Sequence, residues 1–387
     1  MNQDLLRQIK TTIKNILPVT QAIRHQLHSE PEIGLDTFTT RERIMTSLCH
    51  TKLVFQPPLM QTDLIGELKG NNPQTICLRA DMDALPVSEQ TNVAYHSKRP
   101  GSMHACGHDG HSAILIGTAL TLDALAENLP LNVRFIFQPG EEMVCGGKTL
   151  VQLGACQGAA AAFALHGWPG LPVGQIYARE GPLFAAGGYF KIQVTGKGCH
   201  GAQPELGHNP IPVAATVIHK LEQLQQQIYD VDGSILSVCL VQSGHSANII
   251  PDNSLIQGTT RYLSEAAGLK IEQGIRKLVT ETNDDNDVKV SLEYENRYSL
   301  PVLNTQVGFN LIQKLAKGYF PPTAWREMEQ PSMVNEDFAF YLEGREGAMF
   351  LLGLGEDSPP LHSPQFDFND QALENGILMM TLLALNY

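Results

Sequence analysis

The segment TICLRADMD, from Thr75 to Asp83, consists of a short apolar run followed directly by two aspartates. A run of this length is typical of a buried strand, and the acids that follow it then lie at the carboxyl end of that strand. Three other runs show the same order: Val133–Phe137 before Glu141 and Glu142, Ala160–Leu165 before His166, and Met349–Leu352 before His362. The pattern predicts a sheet whose strand ends carry acidic and histidine side chains.

Helical periodicity separates these strands, for example in Ser112–Ala126 and Gln371–Leu385. Strands that alternate with helices predict an α/β fold, here with one large mixed and mostly parallel sheet. The N-terminal segment adds a helix, with apolar residues at three- and four-residue steps from Leu5 to Ile16. We expect Pro18 to interrupt this helix before a second helical stretch begins.

The middle third of the chain has a different order of elements. Its segments alternate as strand, helix, strand, strand, helix and strand: Tyr189–Thr195, Ile211–Gln227, Ile235–Val241, Leu255–Tyr262, Leu269–Thr280 and Val288–Tyr294. This βαββαβ order predicts a ferredoxin-like domain inserted into the larger one. The predicted ranges are 1–186 and 298–387 for the large domain and 187–297 for the inserted domain.

Composition limits the possible partners and the cellular location. Forty acidic residues against 27 Lys and Arg leave a formal net charge of −13 without a basic run, which excludes nucleic acid as a partner. No apolar stretch reaches the roughly 18 residues that a membrane span needs. Seven cysteines at irregular spacing argue against a disulfide framework. We therefore expect a cytoplasmic protein that does not bind membranes.

The acids and histidines at the strand ends are expected to meet, because open α/β sheets bind ligands in the crevice beyond the carboxyl ends of their strands. The loop Cys106–His111, CGHDGH, adds a thiol and two imidazoles. Each signal is weak alone, since a single histidine after a strand is more often a hydrogen-bonded structural residue. The spacing CxHxxH is also not that of a zinc finger. Their joint occurrence favours a site for divalent metal ions.

The adjacent acids Glu141 and Glu142 suit a site with two ions. Two closely spaced cations lower the pKa of a shared water, but one carboxylate must stay off the metal to take the proton. One of the two glutamates would then bind metal while its neighbour acts as general base. Asp83 is expected to orient a ligand histidine and to fix its tautomer.

Motifs along almost the full length resemble the M20 metallopeptidase family. The resemblance is to the amidohydrolase branch, which contains hippurate hydrolases, N-acyl-amino-acid hydrolases, N-acetyl-diaminopimelate deacetylases and auxin-conjugate hydrolases. The motifs are RHQLHSEPEIG (Arg24–Gly34), LRADMDALPV (Leu78–Val87), MHACGHDGH (Met103–His111), FQPGEE (Phe137–Glu142), ALHGWP (Ala164–Pro169), GKGCHGAQP (Gly196–Pro204), ANIIPD (Ala247–Asp252), GTTRYL (Gly258–Leu263), NEDFAFYL (Asn335–Leu342) and LHSPQFDFND (Leu361–Asp370).

The resemblance implies an enzyme that cleaves the amide bond of N-acyl-L-amino acids with two divalent ions, Zn²⁺ or Mn²⁺, with Ni²⁺ or Co²⁺ as further candidates. It implies these metal ligands: Cys106, His108, Glu142, His166 and His362. Glu141 falls on the general base. His200 matches a histidine that in related enzymes crosses a dimer and polarises the scissile carbonyl, so a homodimer or higher homo-oligomer formed through the inserted lid is expected. Asn248 matches a substrate contact of the lid, and Arg261 is a candidate for the substrate carboxylate.

Three other functions compete with this hypothesis. A peptidase of the same family, acting as a dipeptidase or aminopeptidase, would use the same metal residues on another substrate. A cysteine-nucleophile hydrolase would pair Cys106 with His108 or His111, but it leaves Glu141, Glu142, His166 and His362 without a role. A catalytically dead metal-binding scaffold would be expected to lose Glu141, which this chain retains.

Overall fold

The structure, a computed structural model, describes residues 3–284 and 288–387. Residues 1–2 and 285–287 of the predicted domain ranges lie outside the described residues. The described residues form ten α-helices: α1 (Gln3–Ser29), α2 (Phe38–Leu48), α3 (His108–Ala124), α4 (Glu141–Val144), α5 (Gly146–Gln152), α6 (Pro210–Asp232), α7 (Glu265–Asp284), α8 (Gln306–Tyr319), α9 (Ala339–Leu342) and α10 (Leu373–Asn386).

They also form sixteen strands: β1 (Val54–Phe55), β2 (Leu64–Leu68), β3 (Thr75–Asp81), β4 (Asn132–Gln138), β5 (Ala159–Pro169), β6 (Ile176–Ala178), β7 (Gly181–Phe184), β8 (Ala186–Thr195), β9 (Cys199–His200), β10 (Ile235–Ser243), β11 (Ile249–Ile250), β12 (Asn253–Tyr262), β13 (Lys289–Tyr298), β14 (Val302–Asn304), β15 (Trp325–Glu327) and β16 (Glu346–Gly355). The chain divides into two compact units. The first comprises Met1–Leu183, Val302–Gln330 and Asp337–Tyr387, and the second comprises Phe184–Pro301 and Pro331–Glu336.

The first unit is built on an eight-stranded sheet in the order β1-β2-β4-β3-β5-β16-β6-β15. Its four central strands, β4, β3, β5 and β16, are parallel, and antiparallel pairs occur toward the edges. These central strands are almost wholly buried, as expected for parallel strands covered by helices. The predicted large mixed, mostly parallel sheet is confirmed.

The parallel centre of the sheet brings the predicted strand ends to one edge. Strand β3 pairs with β4 on one side and with β5 on the other, so that Arg79 lies opposite Ile136 and Ala164. Strand β16 continues the layer, with Leu351 opposite His166. The carboxyl ends of these strands therefore lie side by side.

Helix α1 is continuous from Gln3 to Ser29 and contains Pro18, so the predicted interruption is wrong. Proline removes one backbone hydrogen bond and disturbs a helix by about 3 kcal/mol. The contacts on both sides of it outweigh this cost: Ile9 and Ile13 are buried before it, and Leu27 after it. Local sequence cannot reveal this compensation.

The second unit contains a four-stranded antiparallel sheet in the order β10-β12-β8-β13. Helices α6 and α7 pack on it, and their apolar residues form a separate core with the sheet. Residues 331–336 cluster with this unit, although the predicted ranges assign them to the large domain. The backbone N–H of Ala185 contacts the carbonyl oxygens of Ser332 and Val334 at 3.1 and 3.0 Å, a pairing too distant in sequence to be predicted.

Candidate metal and catalytic site

Five predicted metal ligands of the first unit, Cys106, His108, Glu142, His166 and His362, lie together in what we call the donor cluster. Sγ of Cys106 lies 3.5 Å from Nε2 of His166. Oε1 of Glu142 lies 3.8 Å from Nε2 of His108 and 3.3 Å from Nε2 of His362. Within each of two triplets, Cys106–His108–His166 and Cys106–Glu142–His362, all ligand atoms lie within 4.8 Å of one another. Cys106 belongs to both triplets, so it joins two neighbouring groups of donors.

His108 has the tautomer that a metal ligand needs. Its Nδ1–H donates to the carbonyl oxygen of Asp83 at 2.8 Å, so the neutral ring carries its lone pair on Nε2. That nitrogen is buried and has no hydrogen-bond partner among residues 3–284 and 288–387. A buried polar atom without a partner is costly, so a cation facing Nε2 would remove the cost.

His166 is held in the same way at the end of β5. Its Nδ1–H donates to the carbonyl oxygen of Gly167 at 2.8 Å, and Nε2 faces the thiol of Cys106. Burial and the neighbouring ring of His111 lower the pKa of His166 to about 3. The imidazole is therefore neutral, as a metal-binding histidine must be.

The Glu141–Glu142 pair lies on α4, a single helical turn between two left-handed residues. Gly140 has φ +71°, and a Cβ atom there would meet side-chain carbons of Val144 and Leu35 at 2.6 and 2.8 Å. The carboxylate of Asp83 accepts the N–H groups of Glu141 and Glu142 at 3.1 and 3.2 Å. Asp83 thus holds both the acid pair and, through its carbonyl, His108.

His362 reaches the cluster from a loop rather than from a strand. Its backbone has φ +64°, a conformation that costs a non-glycine residue about 1–3 kcal/mol. The N–H of His362 donates to the carbonyl oxygen of Ala105 at 2.8 Å, which ties this loop to the one carrying Cys106. The side chain is 54% exposed, whereas His108 is 1% exposed. Such strain commonly marks a functional position.

The electrostatics of the cluster favour cations. Burial raises the pKa of the Cys106 thiol well above its ordinary value, and the charges of Glu142 and Glu141 raise it further. Burial alone would lower the pKa of His108, but Asp81 and Asp83 outweigh burial and raise that pKa to about 10. Both shifts reflect excess negative charge in a buried place. Divalent ions would offset this charge, displace the second proton of His108 and favour the thiolate of Cys106, so the residues fit such ions.

His200 and Asn248 lie in the second unit, on loops joined by the short pair β9 and β11, in which Ile249 lies opposite His200. Nδ1 of His200 accepts the N–H of Ala202 at 3.1 Å, so its proton is on Nε2. The hydroxyl of Ser246 donates to Oδ1 of Asn248 at 2.6 Å, which fixes Nδ2 as the donor end of the amide. Each side chain therefore presents a hydrogen-bond donor, and His200 lines a cavity of about 540 Å³.

Arg261 lies elsewhere in the second unit, on β12 opposite Gly187 of β8. One guanidinium nitrogen, Nη1, donates to the carbonyl oxygen of the preceding Thr260 at 2.8 Å. The structure therefore gives Arg261 a structural contact and does not place it on the β9–β11 pair that carries His200.

A group of buried polar side chains lies next to the donor cluster, and the sequence predicted only one of them, Asp81, as an acid at a strand end. Arg79 contacts Asp81 at 2.8 Å and Asp337 at 2.7 Å, and its Nε donates to Gln138 at 2.9 Å. Arg79, Asp81 and Asp337 occur in the LRADMDALPV and NEDFAFYL motifs. The arginine within a predicted buried strand is the feature of the sequence that indicates such a group, because a buried charge requires a partner.

The site combines a thiol, imidazoles and carboxylates with a buried glutamate beside them, on an α/β fold. This combination is typical of metal-dependent hydrolases. Residues 77–386 match peptidase family M20/M25/M40, and the chain belongs to this family. The membership confirms the family predicted from the motifs, and with it an enzyme of the hydrolase class.

Relatives of known name span nearly the whole chain. A hippurate hydrolase of Campylobacter jejuni is 32% identical over 372 residues, covering 95% of this chain and 96% of the relative. An N-acetylcysteine deacetylase of Bacillus subtilis is 33% identical over 354 residues, covering 91% and 92%. The crystal structure of a dinuclear metal-binding peptidase of the M20 family from Bacillus subtilis is 30% identical, with a TM-score of 0.83 over 96% of this chain and 98% of that one.

Proposed function

We propose that the chain is a metal-dependent amidohydrolase that cleaves N-acyl-L-amino acids into a carboxylic acid and a free amino acid. The observation that carries the proposal is the buried Glu141 directly beside a cluster of thiol, imidazole and carboxylate donors. Relatives named hippurate hydrolase and N-acetylcysteine deacetylase supply the substrate class, since both names refer to N-acylated amino acids.

The residues proposed to hold two divalent ions are Cys106, His108, Glu142, His166 and His362. Thiolate and imidazole donors suit Zn²⁺. Mn²⁺, Ni²⁺ and Co²⁺ are alternatives, because coordination geometry and the availability of each metal in the cell also determine which ion is bound. When bound, the ions supply Lewis acidity and lower the pKa of the attacking water. Asp83 is proposed to position the ligands rather than to bind metal. It fixes the Nδ1–H tautomer of His108 and the backbone of the glutamate pair.

Glu141 is the proposed general base. It is 6% exposed, and its backbone is fixed by Asp83, so its carboxylate is held where proton transfer occurs. Glu141 takes a proton from the attacking water and returns it to the leaving amine, so water and amide are converted to acid and amine. Nε2–H of His200 is suited to donate to the oxygen of the amide carbonyl as negative charge develops there. Asn248 is proposed to contact the substrate, and Arg261 its carboxylate.

We assign residues 187–297 as a ferredoxin-like lid and residues 1–186 and 298–387 as the catalytic domain. The βαββαβ order and the antiparallel sheet β10-β12-β8-β13 support a ferredoxin-like assignment. The function requires His200 to reach the reacting carbonyl, either by closure within one chain or from the lid of a partner subunit in a homodimer or higher homo-oligomer.

We place the enzyme in the cytoplasm because no disulfide joins any two of its seven cysteines, all of which lie within the described residues. None of the helices formed by residues 3–284 and 288–387 is long and apolar enough to cross a membrane.

The surroundings of Cys106 argue against a cysteine-nucleophile hydrolase. A nucleophilic thiol needs a lowered pKa, whereas burial, Glu142 and Glu141 raise that of Cys106. His111 cannot activate it either, because Asp81 and Gly167 engage both nitrogens of the ring.

The deciding experiment is a substrate screen of the metal-reconstituted enzyme against hippurate, N-acetyl-amino acids, N-acetyl-diaminopimelate and dipeptides. We expect turnover of N-acyl-amino acids that EDTA abolishes and that Zn²⁺ or Mn²⁺ restores. Turnover confined to dipeptides would show that the peptidase alternative is correct. Activity that survives EDTA in metal-free enzyme would reject the metal mechanism in favour of Cys106.

A further inference from the structure

His111 is the one histidine of the CGHDGH loop to which the mechanism gives no role. It is buried on the first turns of α3, close enough to Asp81 and His108 for the three to resemble a further set of metal donors. Its hydrogen bonds indicate otherwise. The N–H of Gly167 donates to Nε2 of His111 at 2.8 Å, and Nδ1 lies 2.7 Å from Oδ1 of Asp81.

These two contacts determine the tautomer. Because Nε2 accepts a hydrogen bond, the proton must be on Nδ1, where it is donated to Asp81. The lone pair that a metal would need is therefore already directed at the backbone of Gly167. Both ring nitrogens are used, and a cation could bind His111 only after breaking one of these buried bonds.

The bond to Gly167 acts on the neighbouring ligand. Strand β3 pairs with β5 only as far as Arg79 opposite Ala164, so it does not reach the N–H of Gly167. His111 takes that N–H instead. The carbonyl of Gly167 in turn accepts Nδ1–H of His166, which directs Nε2 of His166 toward Cys106. Gly167 therefore donates its N–H to His111 and accepts Nδ1–H of His166 at its carbonyl.

The other side of His111 is fixed by buried charge. Asp81 is bound by Arg79 at 2.8 Å, and Arg79 is bound by Asp337 at 2.7 Å. Asp337 also accepts the N–H of Gly147 at 2.7 Å and the amide of Gln138 at 2.8 Å. These side chains are almost wholly buried, so each charge depends on its partners, and the position of the His111 ring follows from theirs.

We propose that His111 is a positioning residue that orients the ligand His166 through the backbone of Gly167, and that it is not itself a metal ligand. The inference rests on the proposed function, because it assumes that His166 binds an ion. It predicts that metal affinity depends on the hydrogen bond accepted from Gly167 rather than on an imidazole as such.

Three variants separate the two bonds of His111. His111→Gln offers an acceptor near the position of Nε2 and can keep the bond to Gly167, whereas His111→Asn offers a donor near Nδ1 and can keep only the bond to Asp81. His111→Ala removes both. The chains are titrated with Zn²⁺ by calorimetry and with Co²⁺ by absorption, in which the thiolate-to-Co²⁺ band reports on Cys106 and its neighbouring ligand.

We expect His111→Ala and His111→Asn to weaken metal affinity by about 10–100-fold and to shift the Co²⁺ spectrum, without reducing the number of ions bound at saturation. His111→Gln should have a metal affinity and a Co²⁺ spectrum close to those of the unmutated chain. One ion fewer at saturation in all three variants would make His111 a ligand and overturn the proposal. Unchanged metal affinity and an unchanged Co²⁺ spectrum in folded His111→Ala would show that His111 only packs in the core and does not orient His166.

His111→Gln keeps the test decisive if the other two variants do not fold. A folded His111→Gln chain that retains affinity and spectrum supports the bond to Gly167, and a tenfold loss in that chain contradicts it. The unmutated chain is titrated first. If it binds no divalent ion, the proposed function fails, whereas binding without any effect of the variants rejects only the role of His111.

Discussion

The donor cluster of the first unit and the β9–β11 loops of the second unit hold their polar side chains in different ways. His108 and Glu141 are buried, and hydrogen bonds to Asp83 fix the ring of one and the backbone of the other. His200 and Asn248 are exposed, and the side chain of each is hydrogen-bonded to a residue two positions away.

The difference matches the two tasks proposed for these regions. Residues that hold highly charged ions must be placed before the ion arrives, because rearranging buried donors is costly. Residues that contact a substrate must admit it and release it, which a short exposed loop permits. Substitutions of the metal ligands in the first region should therefore affect metal binding, whereas substitutions in the second should affect turnover alone.

The largest expected effect is that of Cys106→Ala. Removal of a donor shared by both triplets should lower metal occupancy and reduce activity to that of chelated enzyme. Metal content by elemental analysis, measured beside activity, checks this. Full metal and full activity in Cys106→Ala would mean that the cysteine is only a small buried residue.

Glu141→Gln should lower kcat by between about 10² and 10⁴ while metal content stays near that of the unmutated chain, because only a positioned proton acceptor is lost. Glu142→Gln is the matched control on the same turn and should lose metal. If Glu141→Gln loses the metal instead, the roles of the two glutamates have been interchanged.

His200→Ala tests the second region. It should lower kcat by about 10² with no change in metal content, because the lost bond is to the carbonyl oxygen and not to an ion. His200→Gln, which retains a donor near Nε2, should recover part of the loss. An undiminished His200→Ala enzyme would remove His200 from the mechanism.

Mixing the inactive variants His200→Ala and Glu141→Gln distinguishes closure within one chain from donation by a partner. If the partner subunit supplies His200, some mixed dimers hold one site with both residues intact, and activity returns. Subunit exchange is verified with labelled chains. No return of activity in exchanging subunits leaves only closure within the chain.

The smallest expected effect concerns the pH dependence of stability in the first region. Burial alone would lower the pKa of His28, but its hydrogen bonds to Asp109 and Glu89 outweigh burial and raise that pKa to about 9. The stabilising contribution is therefore complete below the ordinary pKa of about 6.5 and is lost as the pH rises through 9.

Denaturant unfolding should show a stability loss on the order of 1–2 kcal/mol between about pH 6 and about pH 8 that His28→Gln lacks. Elemental analysis of the variant at each pH keeps metal loss separate from titration. An identical pH dependence in the two chains would mean that His28 does not change its protonation on unfolding.

The amino-acid sequence alone was sufficient for the family, for the four central strands of the large sheet and for the βαββαβ order of the second unit. Runs such as Thr75–Asp81 are apolar enough to be recognised as buried strands, and the residue that follows a parallel strand must lie at the carboxyl edge of its sheet. That reasoning selected the pair Glu141 and Glu142 as well as His166 and His362, and the structure brings these residues together with Cys106 and His108.

Tertiary structure decided what depends on partners distant in sequence. His108 and His111 stand three residues apart in one motif. In its neutral form His108 directs its lone pair at the donor cluster, whereas His111 directs its lone pair at the backbone N–H of Gly167. Pro18 lies within a continuous helix because the core outweighs the lost hydrogen bond. Arg79 and Asp337 are 258 residues apart and form one buried ion pair. In each case the deciding energy is a contact that forms only when the chain is folded, so no local pattern of residues records it.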